Sequence, residues 1–219
     1  MSEYVIRGQT LTDIAAAIRT KSGTQEQYRP DQMAAAIQAI PSAGTEMEDL
    51  LVERPSTFTE YTNDRVTKIG AYAFHRSSIQ KFLFPNVESI GTGAFSNSSA
   101  LGKILFPKVA STLSSAFNAC TILEIVGFGA MVTVGGSGCF SYSNLLDTVI
   151  FSSPSLCTLS NTSAFTRTPI ADGTGYIYVP KALVAEYKTA TNWAVYAAQF
   201  RAIEDYPEIQ ALVEEMMAA

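Results

Sequence analysis

The sequence is poor in charge and contains no cluster of positive charge. Only 16% of its 219 residues are Asp, Glu, Lys or Arg, whereas about 25% is usual in soluble domains. The formal net charge is −5, and Lys and Arg form no run. A surface that follows the phosphates of a nucleic acid is therefore not expected. With 47% apolar residues, the composition predicts extensive burial or an apolar surface that contacts a partner.

Cysteines and long apolar runs are also scarce. Cys120, Cys139 and Cys157 are odd in number and lack CxxC spacing, which indicates neither a disulfide framework nor a zinc site, so we interpret them as buried apolar fillers. No apolar stretch approaches the roughly 18 residues of a membrane span. The first ten residues, MSEYVIRGQT, lack the basic start and apolar core of a secretory signal. We therefore expect a soluble chain that stays in the cytoplasm where it is made.

Residue patterns typical of catalysis are equally sparse. His75 is the only histidine, and a Ser-His-acid site would need it beside a nucleophile and a carboxylate, so we interpret it as an exposed turn residue. No carboxylate pair recurs in a form typical of glycoside hydrolysis. The glycines of GFGAMVTVGGSG at 127–138 lack the lysine of a phosphate-binding loop. We expect no catalytic residue, no cofactor and no metal, and a cell-wall-degrading enzyme is the weakest functional hypothesis.

A repeated phrase is what the sequence does contain. IGAYAF at 69–74 returns as IGTGAF at 90–95. Phenylalanines recur at spacings of 21, 22, 23 and 25 residues, and a second series of strand-ending residues keeps the same phase at 22, 22, 23 and 28. The first series is Phe74, Phe95, Phe117, Phe140 and Phe165, and the second is Phe84, Phe106, Phe128, Phe151 and Val179. Each unit can bury its apolar residues only against its neighbours, which predicts a solenoid.

The units resemble the BspA-like leucine-rich repeat. IQKFLFPNVESIGTGAFSNSSA, LGKILFPKVASTLSSAFNACTI and the looser LDTVIFSSPSLCTLSNTSAFTRTP are similar to its pattern L-x-x-I-x-I-P…I-G-x-x-A-F-x-x-C. The resemblance covers 65–180 and implies a β-rich solenoid. It also implies a closing segment, IYVPKALVAEYKTATNWAVYAAQFRAI. In that segment a helical stripe is expected to cap the open end, formed by Trp193, Tyr196, Ala197 and Phe200.

Helical patterns precede the repeat. Apolar residues at helical spacing predict a hairpin of two helices over 1–41. Its stripes contain the candidate interface residues Leu11, Ile14, Ile18, Met33 and Ile37. The segment LTDIAAAIRTKSGTQEQYRPDQMAAAIQAI is similar to the N-terminal helical pair of tail, baseplate and appendage proteins of phages that infect Firmicutes. Short helices are marginally stable alone, so we expect this pair to dock onto the rest of the chain or onto another protein.

A further amphipathic helix is predicted at the other end of the chain. In PEIQALVEEMMAA the spacing i, i+3, i+4, i+7, i+8 predicts one apolar side. That side consists of Ile209, Leu212, Val213, Met216 and Met217. The pattern leaves open whether the helix lies back on the cap or pairs across subunits.

The outward positions of the predicted strands are more apolar than a water-exposed sheet requires. Side chains alternate along a strand, so the residue before each strand end and the one two places earlier point outward. The candidate interface residues at these positions are Leu83, Leu105, Ile125, Ile150, Tyr176 and Tyr178. Either the hairpin or linker folds over this face, or the face is a subunit interface.

The complete prediction is an α+β chain in four parts. They are a helical hairpin at 1–41, a linker at 42–64 with room for one short strand, a β-rich BspA-like leucine-rich-repeat solenoid at 65–180, and a helical cap with the amphipathic helix at 181–219.

Both resemblances imply a non-enzymatic phage virion protein of the tail, baseplate or a fibre, assembled in the host cytoplasm. Its hairpin would bind other virion proteins, and its solenoid would bind other copies of the chain, with a trimer expected from fibre-like phage proteins, or a host-surface glycan or protein. The candidate ligand contacts lie near the turn face and are Tyr72, His75, Tyr142 and Arg167. The alternative is a bacterial BspA-like surface adhesion or interaction protein. Neither nucleic acid nor membrane insertion is expected.

Overall fold

The computed structural model describes residues 60–218 of the chain. The predicted hairpin at 1–41 and the linker up to residue 59 lie outside the described residues. So do the candidate contacts Leu11, Ile14, Ile18, Met33 and Ile37.

Short strands, three short α-helices and several 3₁₀ turns follow one another along the described chain. The strands are β1 (Glu60–Thr62), β2 (Lys68–Ile69), β3 (Lys81–Leu83), β4 (Ser89–Ile90), β5 (Lys103–Phe106), β6 (Ser111–Thr112), β7 (Ile125–Phe128), β8 (Thr133–Val134), β9 (Thr148–Phe151), β10 (Thr158–Leu159), β11 (Tyr176–Val179) and β12 (Phe200–Ala202). The α-helices are α1 (Pro169–Asp172), α2 (Val184–Tyr187) and α3 (Pro207–Ala218). The 3₁₀ turns are Thr162–Phe165, Lys181–Leu183, Ala194–Gln199 and Ile203–Asp205.

The strands form two five-stranded parallel sheets and one parallel pair, and the central coils contribute one strand to each of the larger sheets. The sheet of two-residue strands has the order β10-β8-β6-β4-β2, the longer-stranded sheet has the order β12-β11-β9-β7-β5, and β1 pairs with β3. The register advances by one coil at a time, because Lys103 lies opposite Ile125, which lies opposite Thr148. Equivalent positions of successive coils therefore form columns, as a solenoid requires.

Two columns of phenylalanine fill the space between the sheets. In the first column the rings of Phe95 and Phe117 are 5.1 Å apart with planes 5° from parallel. In the second, the rings of Phe106 and Phe128 are 5.8 Å apart and 9° from parallel. All the members are buried. Burial of each ring stabilises the fold by about 1.5–3 kcal/mol, and offset aromatic pairs add about 0.5–1.5 kcal/mol. The two phase-locked series of the sequence are confirmed as two stacked ladders.

A small polar side chain lies buried three residues after most core phenylalanines. Ser98 Oγ donates a hydrogen bond of 2.7 Å to the carbonyl of Phe74 in the preceding coil. Cys120 Sγ does the same toward Phe95 at 3.1 Å, and Ser143 Oγ reaches the preceding coil's phenylalanine at 2.8 Å. Buried polar groups are tolerated only when they are bonded, so this column joins each coil to the one before it.

The segment after β11 closes the last coil. Trp193 Nε1 donates to the carbonyl of Cys157 at 2.7 Å, and Asn192 Nδ2 donates to that of Leu159 at 2.7 Å. The Tyr187 hydroxyl accepts from the backbone N–H of Cys157 at 2.9 Å. An open strand edge is a template for pairing with another chain. These side chains occupy the backbone groups that the edge strand β10 and its approach would otherwise present.

The cap differs in conformation from its prediction. The expected helical stripe is a 3₁₀ turn over Ala194–Gln199, interrupted at Tyr196, where φ is −108° and ψ is 17°. Phe200 begins β12, which pairs with β11 and extends the sheet beyond residue 180. Trp193 is completely buried, while Ala197 is only half-buried. The aromatic residues therefore close the solenoid as expected, but through a kinked turn and a strand instead of one helix.

Candidate functional site

Two outward surfaces of the solenoid carry the candidate functional residues. The sheet face is the outer side of the longer-stranded sheet. The ridge is formed by the turns around the first phenylalanine column, at 71–78, 92–99, 114–121, 137–144 and 162–169.

Helix α3 covers much of the sheet face. Ile150 is completely buried and Tyr178 is only 7% exposed, and both pack in one apolar cluster with Ile209 of the helix. Leu212 and Val213 of the helix pack against the same cluster. Burial raises the pKa of the Tyr178 hydroxyl above its usual value. This part of the face is thus occupied by the chain itself.

The far end of α3 is accommodated by a glycine in the outward column. Met216 is fully buried, and a Cβ built on Gly127 would lie 3.4 Å from its Sδ atom and 2.7 Å from Cδ2 of Leu105. At the same end of the helix, Lys103 Nζ contacts both carboxylate oxygens of Glu215 at 2.8 Å. The absence of a side chain at residue 127 therefore gives the helix room to approach the sheet.

The predicted apolar side of α3 is confirmed for four of its five residues. Met217 is 61% exposed and points away from the sheet. It follows Met216, which is completely buried, and the turn of about 100° between the two residues places Met217 at the solvent edge of the apolar side.

The sequence-predicted interface residues of the sheet do not all share one environment. Ile150 and Tyr178 lie beneath α3, so their interpretation as a subunit interface is wrong for the folded chain. At these two positions the covering element is the C-terminal helix, whereas the hairpin and the linker up to residue 59, the other predicted cover, lie outside the described residues. Leu83, Leu105 and Ile125 remain half-buried. Tyr176 is 36% exposed, with the guanidinium of Arg201 4.3 Å from its ring centroid.

The ridge has an unusual backbone. Residues two positions before and two positions after the core phenylalanines adopt left-handed conformations, with φ between 55° and 64°. They are Tyr72, Gly93, Ser115 and Gly138 before the ring, and Arg76, Asn97, Ala119, Tyr142 and Arg167 after it. A left-handed residue other than glycine costs about 1–2 kcal/mol. Segments that lack the glycine of the repeat pattern, such as STLSSAF, therefore keep the same turn geometry but are destabilised by that conformational free energy.

Hydrogen bonds between coils hold this backbone in place. The N–H groups of Tyr72, Phe74 and Arg76 donate to carbonyls of the next coil at 2.9, 2.7 and 2.8 Å. The same alternation recurs in the following coils, from Gly93, Phe95 and Asn97, and from Ser115, Phe117 and Ala119. The ridge is therefore a third hydrogen-bonded layer, and its side chains stand on a rigid support.

The four candidate ligand contacts form two pairs on this ridge. The rings of Tyr72 and His75 meet edge to face at 5.9 Å, and Tyr72 is 56% exposed. The guanidinium of Arg167 lies 5.7 Å from the centroid of Tyr142, which is 49% exposed. Sequence reasoning missed Arg76, although its place two residues after the first core phenylalanine matches that of Tyr142 and Arg167.

His75 contacts a serine, and the hydrogen-bond directions define its role. Its Nδ1 lies 2.7 Å from Oγ of Ser96, and that hydroxyl donates its only proton to the carbonyl of Gly93 at 2.8 Å. With the hydroxyl proton directed at Gly93, Nδ1 is the donor toward Ser96, which is the opposite of the direction a general base needs. The contact fixes the imidazole on the ridge.

The cysteines are buried inside the solenoid and have low reactivity. Burial raises the pKa of the thiols of Cys120, Cys139 and Cys157 to about 12. The thiolate is the reactive form, so these side chains act as buried packing groups. Within 60–218, no group of three or more His, Cys, Asp or Glu side chains is arranged to hold a metal ion. No helix of that same range is long and apolar enough to cross a membrane.

The repeats of this chain match those of a known family. Residues 66–178, slightly more than half of the chain, match the family model for the BspA type leucine-rich repeat region in six copies. No curated protein matches the sequence.

Proposed function

Since the chain belongs to the BspA type leucine-rich repeat family, we propose that it is a non-enzymatic structural and binding protein of a phage particle. Its place would be the tail, the baseplate or a fibre. Repeats of this type generally mediate protein interactions, and repeated units create a broad, rigid surface.

The binding role of the solenoid is inferred from the contrast between its sheet face, which is largely covered, and its ridge, which is not. Helix α3 buries Ile150 and Tyr178, and Trp193 and its neighbours close the last coil. The described chain thereby covers one end of its own apolar column and the strand edge at β10. The ridge stays open, with exposed Tyr72 and Tyr142 on a hydrogen-bonded support. Such an arrangement suits a module that presents a surface to a partner.

The phage assignment is supported by the N-terminal sequence. LTDIAAAIRTKSGTQEQYRPDQMAAAIQAI resembles the helical pair of phage tail and baseplate proteins, and in this proposal residues 1–41 bind other virion proteins. The protein is assembled in the host cytoplasm and resides in the virion. The half-buried Leu83, Leu105 and Ile125 then contribute to contacts between copies in a closed homo-oligomer.

The proposal is tested by following the chain through a density gradient of phage-producing lysate with mass spectrometry. We expect it to travel with intact particles and to leave them when Leu11, Ile14 and Ile18 are all changed to Ser. A matched variant with Lys21→Ser and Gln25→Ser, in the same segment, should remain bound. Absence of the unmodified chain from particles would contradict the proposal.

A bacterial surface adhesion or interaction protein is the second candidate. It is favoured by the extent of the family match, which covers the repeats at 66–178 and does not involve the phage-like segment. In that case the chain would be found on the cell surface of uninfected bacteria and would be missing from particles.

The non-enzymatic assignment has its own test. The purified chain should release no soluble fragment from peptidoglycan or host polysaccharide. Release that survives His75→Ala and Ser96→Ala would point to another site, while release abolished by either change would identify their pair as catalytic. Both results would contradict the assignment.

A further inference from the structure

The ridge carries positive charge in a chain that is negative overall. It contains Arg76 and Arg167 and no Asp or Glu, although the whole chain has 20 acidic residues against 15 Lys and Arg. Within the described residues, carboxylates pair with Lys81, Lys103 and Lys181, and neither ridge arginine has such a partner. The ridge cations are therefore available to an anionic ligand.

The shape of the ridge suits an extended ligand that lies across the coils. Long side chains stand at the first coil, at Tyr72 and Arg76, and at the fourth and fifth, at Tyr142 and Arg167. Between them the left-handed positions carry short side chains, namely Gly93, Asn97, Ser115 and Ala119. Successive coils are 5.1 to 5.5 Å apart along the first phenylalanine column. The ridge thus has long side chains at its two ends and short, mostly polar side chains between them.

The chemistry of the ridge favours a sugar polymer over a protein. A protein interface of standard size has a desolvated apolar centre, and the middle of the ridge offers hydroxyl and amide groups instead. Exposed tyrosine rings can pack against the apolar faces of sugar rings, and guanidinium groups bind carboxylate, sulfate or phosphate through paired donors.

We propose that the ridge binds an anionic polysaccharide across its coils, with Tyr72, His75 and Arg76 at one end and Tyr142 and Arg167 at the other. This inference rests on the proposed binding function and specifies its ligand class. The tyrosines contact sugar rings, and the arginines contact the acidic groups of the polymer.

The experiment measures binding of the full-length chain to dextran sulfate, polygalacturonate, unmodified dextran and inorganic polyphosphate, at low and at high salt. We expect both acidic sugar polymers to bind and dextran to bind more weakly. Arg76→Gln and Arg167→Gln should each weaken binding about 2- to 5-fold, the range typical of one exposed charge contact. Lys108→Gln with Lys188→Gln removes two charges away from the ridge and should leave the affinity unchanged.

Tyr142→Ala separates sugar recognition from simple charge attraction. This change leaves the charge constant, and we expect it to weaken binding of both acidic sugar polymers without shifting the thermal midpoint. An equal loss of affinity in the double lysine variant, or polyphosphate binding as tight as that of dextran sulfate with no effect of Tyr142→Ala, would overturn the proposal and leave only a general electrostatic attraction. Absence of binding to every polymer would also overturn it.

Failure here is distinguishable from failure of the proposed function. The ridge variants retain residues 1–41 and should still travel with particles. If particles carry the chain but the ridge binds no acidic polymer, the ligand class is wrong and the virion assignment stands. Loss of the unmodified chain from particles would instead contradict the virion assignment.

Discussion

The sheet face and the ridge are both made of outward-pointing positions repeated along the solenoid, yet they differ in what covers them. On the sheet face, Ile150 is completely buried by the chain's own C-terminal helix. On the ridge, Tyr142 remains 49% exposed. An apolar column on the outside of a repeat therefore indicates that another element packs on it, and in this chain that element is its own C-terminal helix.

The sheet face itself is not covered evenly. Helix α3 ends near Gly127 and Lys103, through the contacts of Met216 and Glu215. Leu83, one coil nearer the N-terminus, is only half-buried. The outward column therefore contains a covered end and an open end, so a residue at one end can serve as a control for a residue at the other.

The largest expected change in stability distinguishes a residue beneath α3 from residues in the open part of the column and on the ridge. Ile150→Ala should lower the free energy of unfolding by about 2–5 kcal/mol, because it removes buried methyl groups and leaves a cavity beneath α3. Leu83→Ala, in the open part of the column, should cost about 1 kcal/mol, since only part of that side chain is withdrawn from water. Tyr142→Ala on the ridge should stay within about 0.5 kcal/mol. Urea denaturation of the three variants measures the differences.

The contrast would fail if Ile150→Ala and Leu83→Ala had equal effects. That result would mean that α3 does not rest on the sheet in solution. Loss of stability in Tyr142→Ala comparable to that in Ile150→Ala would show that the ridge ring is a packing residue, in contradiction to its exposure.

A smaller effect is expected from filling the space that lets the helix approach. Gly127→Val should cost about 1–3 kcal/mol, because its Cβ would lie 2.7 Å from Leu105 Cδ2 and the added methyl groups would press on Met216. Gly102→Val is the matched control, since the nearest atom to its Cβ is the Ile122 carbonyl oxygen at 3.8 Å. The free energy of unfolding, from urea curves, should change little in the control.

Met216→Ala identifies the partner in that contact. If the valine displaces the helix, the double variant should lose less stability than the sum of the two single changes. Strict additivity would show that strain with Leu105, and not the helix, causes the loss.

The repeat spacing predicts the buried residues well, because each buried side chain must stack on its equivalents in the neighbouring coils. A phenylalanine in a ladder contacts its equivalents in the coils before and after it, as Phe117 contacts Phe95 and Phe140. A change of spacing or size at one position would disturb two neighbours. The register of these residues can therefore be read from the spacing of the phenylalanines alone.

Outward positions carry no such constraint, and there the sequence is less informative. The apolar side of α3 is recognisable, but helical spacing does not say which surface it contacts. The position of the helix depends on the room that Gly127 leaves on the sheet. A glycine inside a strand does not indicate by itself that a helix approaches it. Arg76 escapes prediction for a related reason, because its role depends on a left-handed backbone and on neighbours in other coils.

The smallest effect concerns the ion pair at the end of the covered region. Lys103 Nζ lies 2.8 Å from both carboxylate oxygens of Glu215, with side chains 43% and 54% exposed. Exposed pairs contribute about 0–1 kcal/mol, so Glu215→Gln should lower the free energy of unfolding by less than about 1 kcal/mol. The loss should vanish at about 1 M salt, where the screening length is about 3 Å. Glu214→Gln, which removes a neighbouring exposed carboxylate, should show no such loss at low salt. A cost of Glu215→Gln that persists at high salt would contradict this account, because the Glu215 side chain would then stabilise the helix by a contact that salt does not screen. No cost at either salt concentration would mean that packing around Met216 alone holds this end of the helix, and that the charge pair marks the edge of the cover without stabilising it.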